Sequence, residues 1–525
     1  MLKEGREKKE KIILIMVSLL AVFAVVKVLF HSIHYELGHT YTADAPLYWA
    51  VGRGILNGIK PYTGLYEVKP VGVFLISALS SKLTNDTIIC NIFSVAALIV
   101  IGILPMIYAV EFSCKHKEKG VFRSVAVIVF AALSGMLLML YCEIRSGQFQ
   151  VESMGAAWIG LYYWVILHIS CKCISDFKKP SQIIWLLLAA LFVMCGVMMK
   201  EPFVLLAFFG GLLLVENWKE FVGRIVIPLG LGGMAGFGIM IAEGWLNGYL
   251  NVYVRNMFQN HISVTGSPII RGFQILWLAK DMRDVSDLFL ALIILLIIIN
   301  ILPNKECSKK RNIYHIVRML VLIYIASFAV GLGGQYFNHH YIFAAPFYLL
   351  ILFIGSRKLY DYSGEYLARQ TLAVILSILV VCVGAASNLP FAGEYEGKYK
   401  VIKEHAAYVD SLLDYYGEDT YQYPGFNGEN VFFGLTKHSP LGPCFAQYEY
   451  DFETEDSWFS KKLLEEMNSA NIVIFSYLNV PAINAQVKQI LDTDFTTTPA
   501  NSYTEKPVAS DFKYTVYFRK SVYGQ

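Results

Sequence analysis

The chain has 525 residues, 56% of them hydrophobic and 16% charged, with a mean hydropathy of +0.49 and a formal net charge of +3. Such a composition rules out a soluble globular enzyme and requires lipid as the solvent for most of the chain. The small, scattered positive charge argues against nucleic acid as a partner.

Lys8, Lys9 and Lys11 precede a first apolar stretch at 12–30, and no small-residue cleavage pattern follows in His31-Ser32-Ile33, so this span is read as uncleaved. Further stretches near the ~20 residues that cross hydrocarbon lie at 87–112, 121–141, 153–170, 182–199, 203–216, 225–246, 285–303, 316–335, 341–356 and 369–389. That makes about eleven crossings. A shorter run at 71–83 is about 13 residues, which favours a re-entrant or interfacial helix over a crossing.

The loops supply an orientation, because short cytoplasmic loops carry excess Lys and Arg. With the N-terminus inside, the basic loops around Lys115, Lys172, Lys219, Lys305 and Arg357 share the cytoplasmic side. The outer face collects 31–72, 142–152, Lys200-Glu201-Pro202, 247–284, 335–340 and everything after Pro390. Residues 1–390 are thus expected to form a membrane module and 391–525 a small extracytoplasmic α/β domain. In that domain helical patterns are expected at 405–416 and 461–467, with strand-like runs at 431–433, 471–475 and 514–518. Of nine cysteines the tail holds only Cys444, so it contains no disulfide framework.

The first outer loop, 31–72, is the richest in candidate chemistry. Asp44 opens a run in which Leu47, Tyr48, Val51 and Ile55 recur at helical spacing, implying an amphipathic helix along the outer membrane surface. Asp44 suits an N-cap with Pro46 in the first turn, and equally a catalytic carboxylate; the two roles are compatible. Arg53 lies on this helix, Gly58 to Tyr62 forms a turn, and Glu67 and Lys69 precede Pro70 in an extended segment that projects both to one side. They form either an interfacial salt bridge with a snorkelling lysine or an anion site.

Lys200-Glu201-Pro202 joins two apolar spans with no other linker, so Lys200 can snorkel while Pro202 starts the next helix. Arg145 and Glu152 flank Gln148 in another short outer loop, with the same two readings. His339 and His340, followed by Tyr341, join two further spans; adjacent histidines diverge on a helix, so this pair alone makes a poor two-ligand metal site. No phosphate-cradling Gly-rich loop, His-Glu-x-x-His or Gly-x-Ser-x-Gly occurs, which disfavours a nucleotide-using site.

The order Asp44, Tyr48, Gly58-x-x-Pro61-Tyr62, Glu67-x-Lys69-Pro70, Lys200-x-Pro202 and His340-Tyr341 resembles that of GT-C glycosyltransferases, most closely the branch of protein O-mannosyltransferases and lipid A aminoarabinose transferases. The resemblance covers roughly residues 10–390 and implies a GT-C-like, polytopic α-helical membrane protein with interfacial helices and a C-terminal α/β domain. It further implies a polyprenyl-phosphate sugar donor in a lateral membrane groove. Transfer would be to an extracytoplasmic glycan, lipid or protein hydroxyl, with inversion, and the bacterial plasma membrane is the favoured home.

In that resemblance Asp44 matches a general base and makes the expected catalytic set with Glu67; Glu67 and Lys69 match an element near the donor phosphate, with Lys69 and a later lysine, Lys200, binding that phosphate. Glu152 matches an acid after the third span. Arg145, His340 and Tyr341 join the expected donor-phosphate set, and Tyr48, Arg53, Tyr62, Glu152 and Glu201 the substrate-binding set. Ala45 stands where many members have a second acid, Val68 splits Glu67 from Lys69, and Val71 replaces a second proline. No cofactor is required, and a divalent metal is compatible but not indicated. Two other readings are a transporter or lipid-linked-sugar flippase, whose ionisable residues would lie deep within helices, and an O-antigen ligase or polymerase, whose large outer loop would come late.

Overall fold

A computed structural model describes residues 2–37, 44–67, 69–115, 121–146, 149–169, 180–254, 309–330, 338–362, 392–424, 432–445, 454–475, 481–503, 508–509 and 511–524. The expected spans at 285–303 and 369–389 lie outside them, as do Gln148, Val68, Val431 and most of the loop 247–284.

Six described helices are long and apolar enough to cross a membrane: Ser18–Leu37, Ile88–Lys115, Arg123–Arg145, Pro180–Met199, Trp218–Asn247 and His339–Tyr360. Each overlaps an expected span, although the first continues to Leu37, through residues expected to open the first polar loop. Three other expected spans correspond to shorter helical stretches: Val151–Ile166 with 16 residues, Phe203–Leu212 with 10, and the apolar part Ile316–Val330 of the helix Lys309–Val330. The run at 71–83 is the 14-residue helix Val71–Thr84, roughly 21 Å long at 1.5 Å per residue and short of a ~30 Å hydrocarbon core. These helices and the composition make the chain a polytopic helical membrane protein.

The contacts divide it into two units. The first comprises Met1–Glu36, Phe93–Met240 and Gln259–Pro390; the second comprises Leu37–Ile92, Ile241–Phe258 and Phe391–Gln525. Most of the polar stretch 31–72 thus groups with Phe391–Gln525 rather than with the spans.

In the first unit, Val121–Ser146 is the most enclosed helix: 89% of its apolar window is buried, against 17% for Ser18–Leu37. Both helices are strongly apolar, so close packing decides between the two settings. Gly135 provides it, since a Cβ there would sit 2.0 Å from the carbonyl oxygen of Gly102 and only a glycine lets the two backbones meet. Ala109, Val127, Ala131 and Tyr360 pack together on one side of this helix, and Ala21, Ala126, Val129 and Leu133 on another. Val151–Ile166 packs on Pro180–Met199 and Phe203–Leu212, and Ala345–Tyr362 packs on Val121–Ser146.

In the second unit, helix Ala45–Leu56 packs on Val71–Thr84. Nine of its twelve residues are buried, so it is more enclosed than its amphipathic pattern predicts; Arg53, Ile55 and Leu56 are left on the open edge. The tail carries helices Ala392–Tyr416, Trp458–Ser469 and Pro481–Asp494. Its strands are β1 Thr420–Tyr421, β2 Ser439–Pro440, β3 Ile472–Phe475, β4 Phe495–Thr496 and β5 Thr515–Arg519.

β5 lies between β3 and β4, antiparallel to both, with Ile472 opposite Phe518 and Phe495 opposite Arg519. β1 and β2 pair in parallel. The runs at 471–475 and 514–518 are thus strands, and 405–416 and 461–467 lie within helices. Phe432 and Phe433 are not in a strand: they sit in a turn closed by Leu435 N–H on the Phe432 carbonyl, and their rings serve the aromatic core. A run of apolar residues buries its rings equally well from a turn.

Candidate functional site

Two other connections between helices of the first unit meet the 3-10 turn Asn338–Ala344. Helix Pro180–Met199 closes with Lys200 N–H on the Gly196 carbonyl, and Phe203 N–H returns to the Lys200 carbonyl, so a tight turn fixes where Lys200 starts. Its Nζ lies 2.5 Å from Glu152 Oε1 and 4.8 Å from the centre of the Phe343 ring. Glu152 is fully buried in the first turn of Val151–Ile166, where a carboxylate also complements the helix dipole. The Lys200 side chain is 14% exposed.

Arg145, in the last turn of Val121–Ser146, stacks its guanidinium 4.6 Å from the Tyr341 ring centre and 5.2 Å from that of Tyr141. His339 and His340 lie with ring centroids 4.5 Å apart and planes at 85°. The divergence expected of adjacent histidines does not hold here, because the turn brings both rings toward Glu152: one ligand atom from each of the three residues lies within 4.8 Å of the others. Glu201 follows Lys200 in the turn and is half-buried.

The first unit therefore gathers Arg145, Glu152, Lys200, His340 and Tyr341 from the expected set. It adds His339, which the sequence offered only as the neighbour of His340, and Phe343, which carried no sequence signal. The arrangement is two cations, one buried carboxylate and two imidazoles against aromatic walls at the ends of spanning helices. Such a cluster can hold an anion or a metal ion.

The second unit gathers the remainder. Asp44 stands at the N-cap of Ala45–Leu56, where its carbonyl accepts Leu47 N–H at 3.1 Å and Tyr48 N–H at 3.3 Å. Its side chain makes no capping hydrogen bond to the helix. Glu67 and Lys69 do face one another, with Lys69 Nζ 3.4 Å from Glu67 Oε1 and 5.9 Å from the Tyr48 ring centre. The Tyr62 hydroxyl donates to the Lys69 carbonyl at 2.6 Å, tying the turn to this segment. Tyr62 holds a left-handed φ of 64° and packs its ring against Phe74, Tyr249 and Tyr253. Arg53 Nη2 donates to Asn85 Oδ1 at 3.0 Å.

A further polar group in this unit carried no motif. Asp86 accepts from the Tyr399 hydroxyl and from Lys403 Nζ, the latter at 2.6 Å. Burial opposes its ionisation, but the hydrogen bonds from Lys403, Tyr399 and the Thr87 N–H outweigh it and hold the carboxyl below its ordinary range. In the tail, burial pushes Glu466 up to about 8 although it accepts from Gln422 Nε2 at 2.7 Å. Partners 313 and 44 positions apart leave no local trace.

A cavity of about 420 Å³ opens in the first unit between Phe203–Leu212, Trp218–Phe221 and Lys309–Val330. Phe209, Leu212, Trp218 and Tyr314 line it with Arg318 and Glu216, and it shares no residue with the charged cluster.

No family model matches the chain, and no curated protein sequence does. Among solved structures it is similar to the Archaeoglobus fulgidus oligosaccharyltransferase crystallised with Zn and sulfate, at 13% identity and a TM-score of 0.43, covering 88% of this chain and 68% of that one. It is also similar to archaeal oligosaccharyltransferase AglB from Archaeoglobus fulgidus in complex with an inhibitory peptide and a dolichol-phosphate. Identity there is 12%, with a TM-score of 0.44 and coverage of 96% of this chain and 75% of that one. Likeness at this level transfers no residue role and no substrate.

Proposed function

We propose that the protein is an integral membrane glycosyltransferase of GT-C type that moves a sugar from a polyprenyl-phosphate carrier to an extracytoplasmic hydroxyl of a glycan, lipid or protein, with inversion. The observation that carries the reading is the convergence of Arg145, Lys200 and the turn Asn338–Ala344 at the ends of spanning helices. Cations against aromatic walls at that depth suit a lipid-borne phosphate. The motif order of the first polar loop supports it as well.

In this reading the acceptor oxygen attacks the anomeric carbon as the bond to the phosphate breaks. Lys200 and Arg145 of the first unit take the charge growing on the departing phosphate; in the second unit Asp44 is the candidate base for the acceptor hydroxyl and Lys69, paired with Glu67, a candidate cation. Tyr48, Arg53 and Tyr62 of the second unit, and Glu152, Glu201, His340 and Tyr341 of the first, are the candidate substrate-contacting residues. The bacterial plasma membrane with an extracytoplasmic tail is the setting.

The test is direct. Purified protein in liposomes, given radiolabelled polyprenyl-phosphate sugars and candidate acceptors, is expected to release label from the carrier. Label retained on every carrier, together with movement of the carrier between leaflets, would replace the transferase by a transporter.

A further inference from the structure

We propose that Glu152, His339 and His340 form a binding site for a divalent transition-metal ion, with zinc the best match. The three residues come from two elements of the same unit, the first turn of Val151–Ile166 and the 3-10 turn Asn338–Ala344. One ligand atom from each lies within 4.8 Å of the other two. Around a tetrahedral ion with bonds of about 2.0–2.1 Å the ligand atoms would stand roughly 3.4 Å apart, so side-chain rotation of about an ångström closes the site.

The donor set selects the metal class. Two imidazoles and one carboxylate suit zinc and its transition-metal neighbours, whereas magnesium and calcium take oxygen donors at six or more positions. Three protein donors leave a fourth position for water or an oxygen of a bound anion. The observed ring placement is what lets sequential histidines both serve: their rings are nearly perpendicular with centroids 4.5 Å apart. One nitrogen from each can then reach a common point beside the Glu152 carboxylate.

Lys200 shapes the site from the other side. Its ammonium lies 2.5 Å from Glu152 Oε1 and so competes with an ion for that carboxylate. Because Glu152 is fully buried, some positive charge must accompany it in either state. The ammonium and the metal ion are alternative companions, and removing the lysine favours the metal.

Metal capture is measured without any transfer assay, so it stands or falls apart from the proposed reaction. The full-length protein, purified in detergent with a histidine-free tag and stripped with a chelator, is titrated with Co²⁺ and with Zn²⁺. One ion per chain is expected, with visible cobalt d–d bands and no thiolate charge-transfer band. Loss of an outer-shell partner typically costs 10–100-fold in affinity, so loss of a ligand in His339→Asn or His340→Asn should cost about 100-fold or more.

Glu152→Gln should behave alike, and Lys200→Gln should bind severalfold more tightly. The half-buried His339 makes His339→Asn the variant safest for folding, with a monodisperse elution profile as its check. Absence of binding by the parent protein, thiolate bands, or affinity unchanged in both histidine variants would overturn the site.

Discussion

Lys200 Nζ lies 2.5 Å from Glu152 Oε1, joining a turn between two apolar helices to the buried first turn of a third. Removing one partner of a buried pair strands the other charge. Lys200→Met alone or Glu152→Gln alone should therefore destabilise the protein by about 3–5 kcal/mol, while the double variant should recover most of that loss. Thermal unfolding in detergent of the two single variants and the double checks this. Additive losses would show that the two groups act independently.

Asp44→Asn keeps the size of the side chain and removes its basicity. Transfer from the lipid carrier should fall by about 10²–10⁴-fold, with the amount of protein in the membrane unchanged. Lys200→Gln should cost about 2.7–4 kcal/mol of transition-state stabilisation, read as kcat. Turnover by Asp44→Asn equal to that of the parent would remove Asp44 as the base.

Asp86 accepts from Tyr399 and Lys403 and ionises below its ordinary range. A lowered carboxyl pKa contributes stability that is present above about pH 4 and lost as the pH falls through the native value. Lys403 is 49% exposed, so the ion pair itself adds only about 0–1 kcal/mol. The hydrogen bond from the largely buried Tyr399 carries more, about 1.5–3 kcal/mol for a charged acceptor. Asp86→Asn should flatten the acid limb of the unfolding midpoint measured between pH 3 and 6.

Glu466 behaves with the opposite sign. Its carboxyl is pushed up to about 8 in the folded protein, so its contribution is fully present below the unfolded value of about 4.3 and is lost as the pH rises toward 8. Glu466→Gln mimics the protonated acid and can still accept from Gln422. It should remove the decline in stability between pH 5 and 8, seen as protection of the tail from limited proteolysis.

Gly442 holds φ at +74°, and a Cβ there would lie 2.3 Å from Glu466 Oε1. Gly442→Ala should destabilise the tail by about 1–2 kcal/mol from backbone conformation alone, with displacement of the carboxylate in addition. Pairing it with Glu466→Ala should relieve the steric part and leave the backbone part, measurable by the same proteolysis.

The positions of the spans and of the polar connections between them were legible along the chain. Transfer of apolar side chains from water is a local, additive quantity, and a run such as 121–141 announces its helix without reference to the rest. Glu67 and Lys69 could likewise be placed face to face, because extended backbone alternates its side chains.

Tertiary packing alone decided which connections meet. Arg145, Glu152, Lys200 and the two histidines are separated by up to 195 positions, from 145 to 340, and no periodicity records that Tyr341 stacks under Arg145 or that Glu152 faces both imidazoles. Packing also grouped most of the first outer loop with the tail, and turned an expected strand at Phe432 and Phe433 into a turn. Hydrophobic pattern says that a residue is buried or exposed. Which other residue it meets depends on side-chain shape and close backbone approach, such as that of Gly135 on Gly102, and these exist only once the chain has folded.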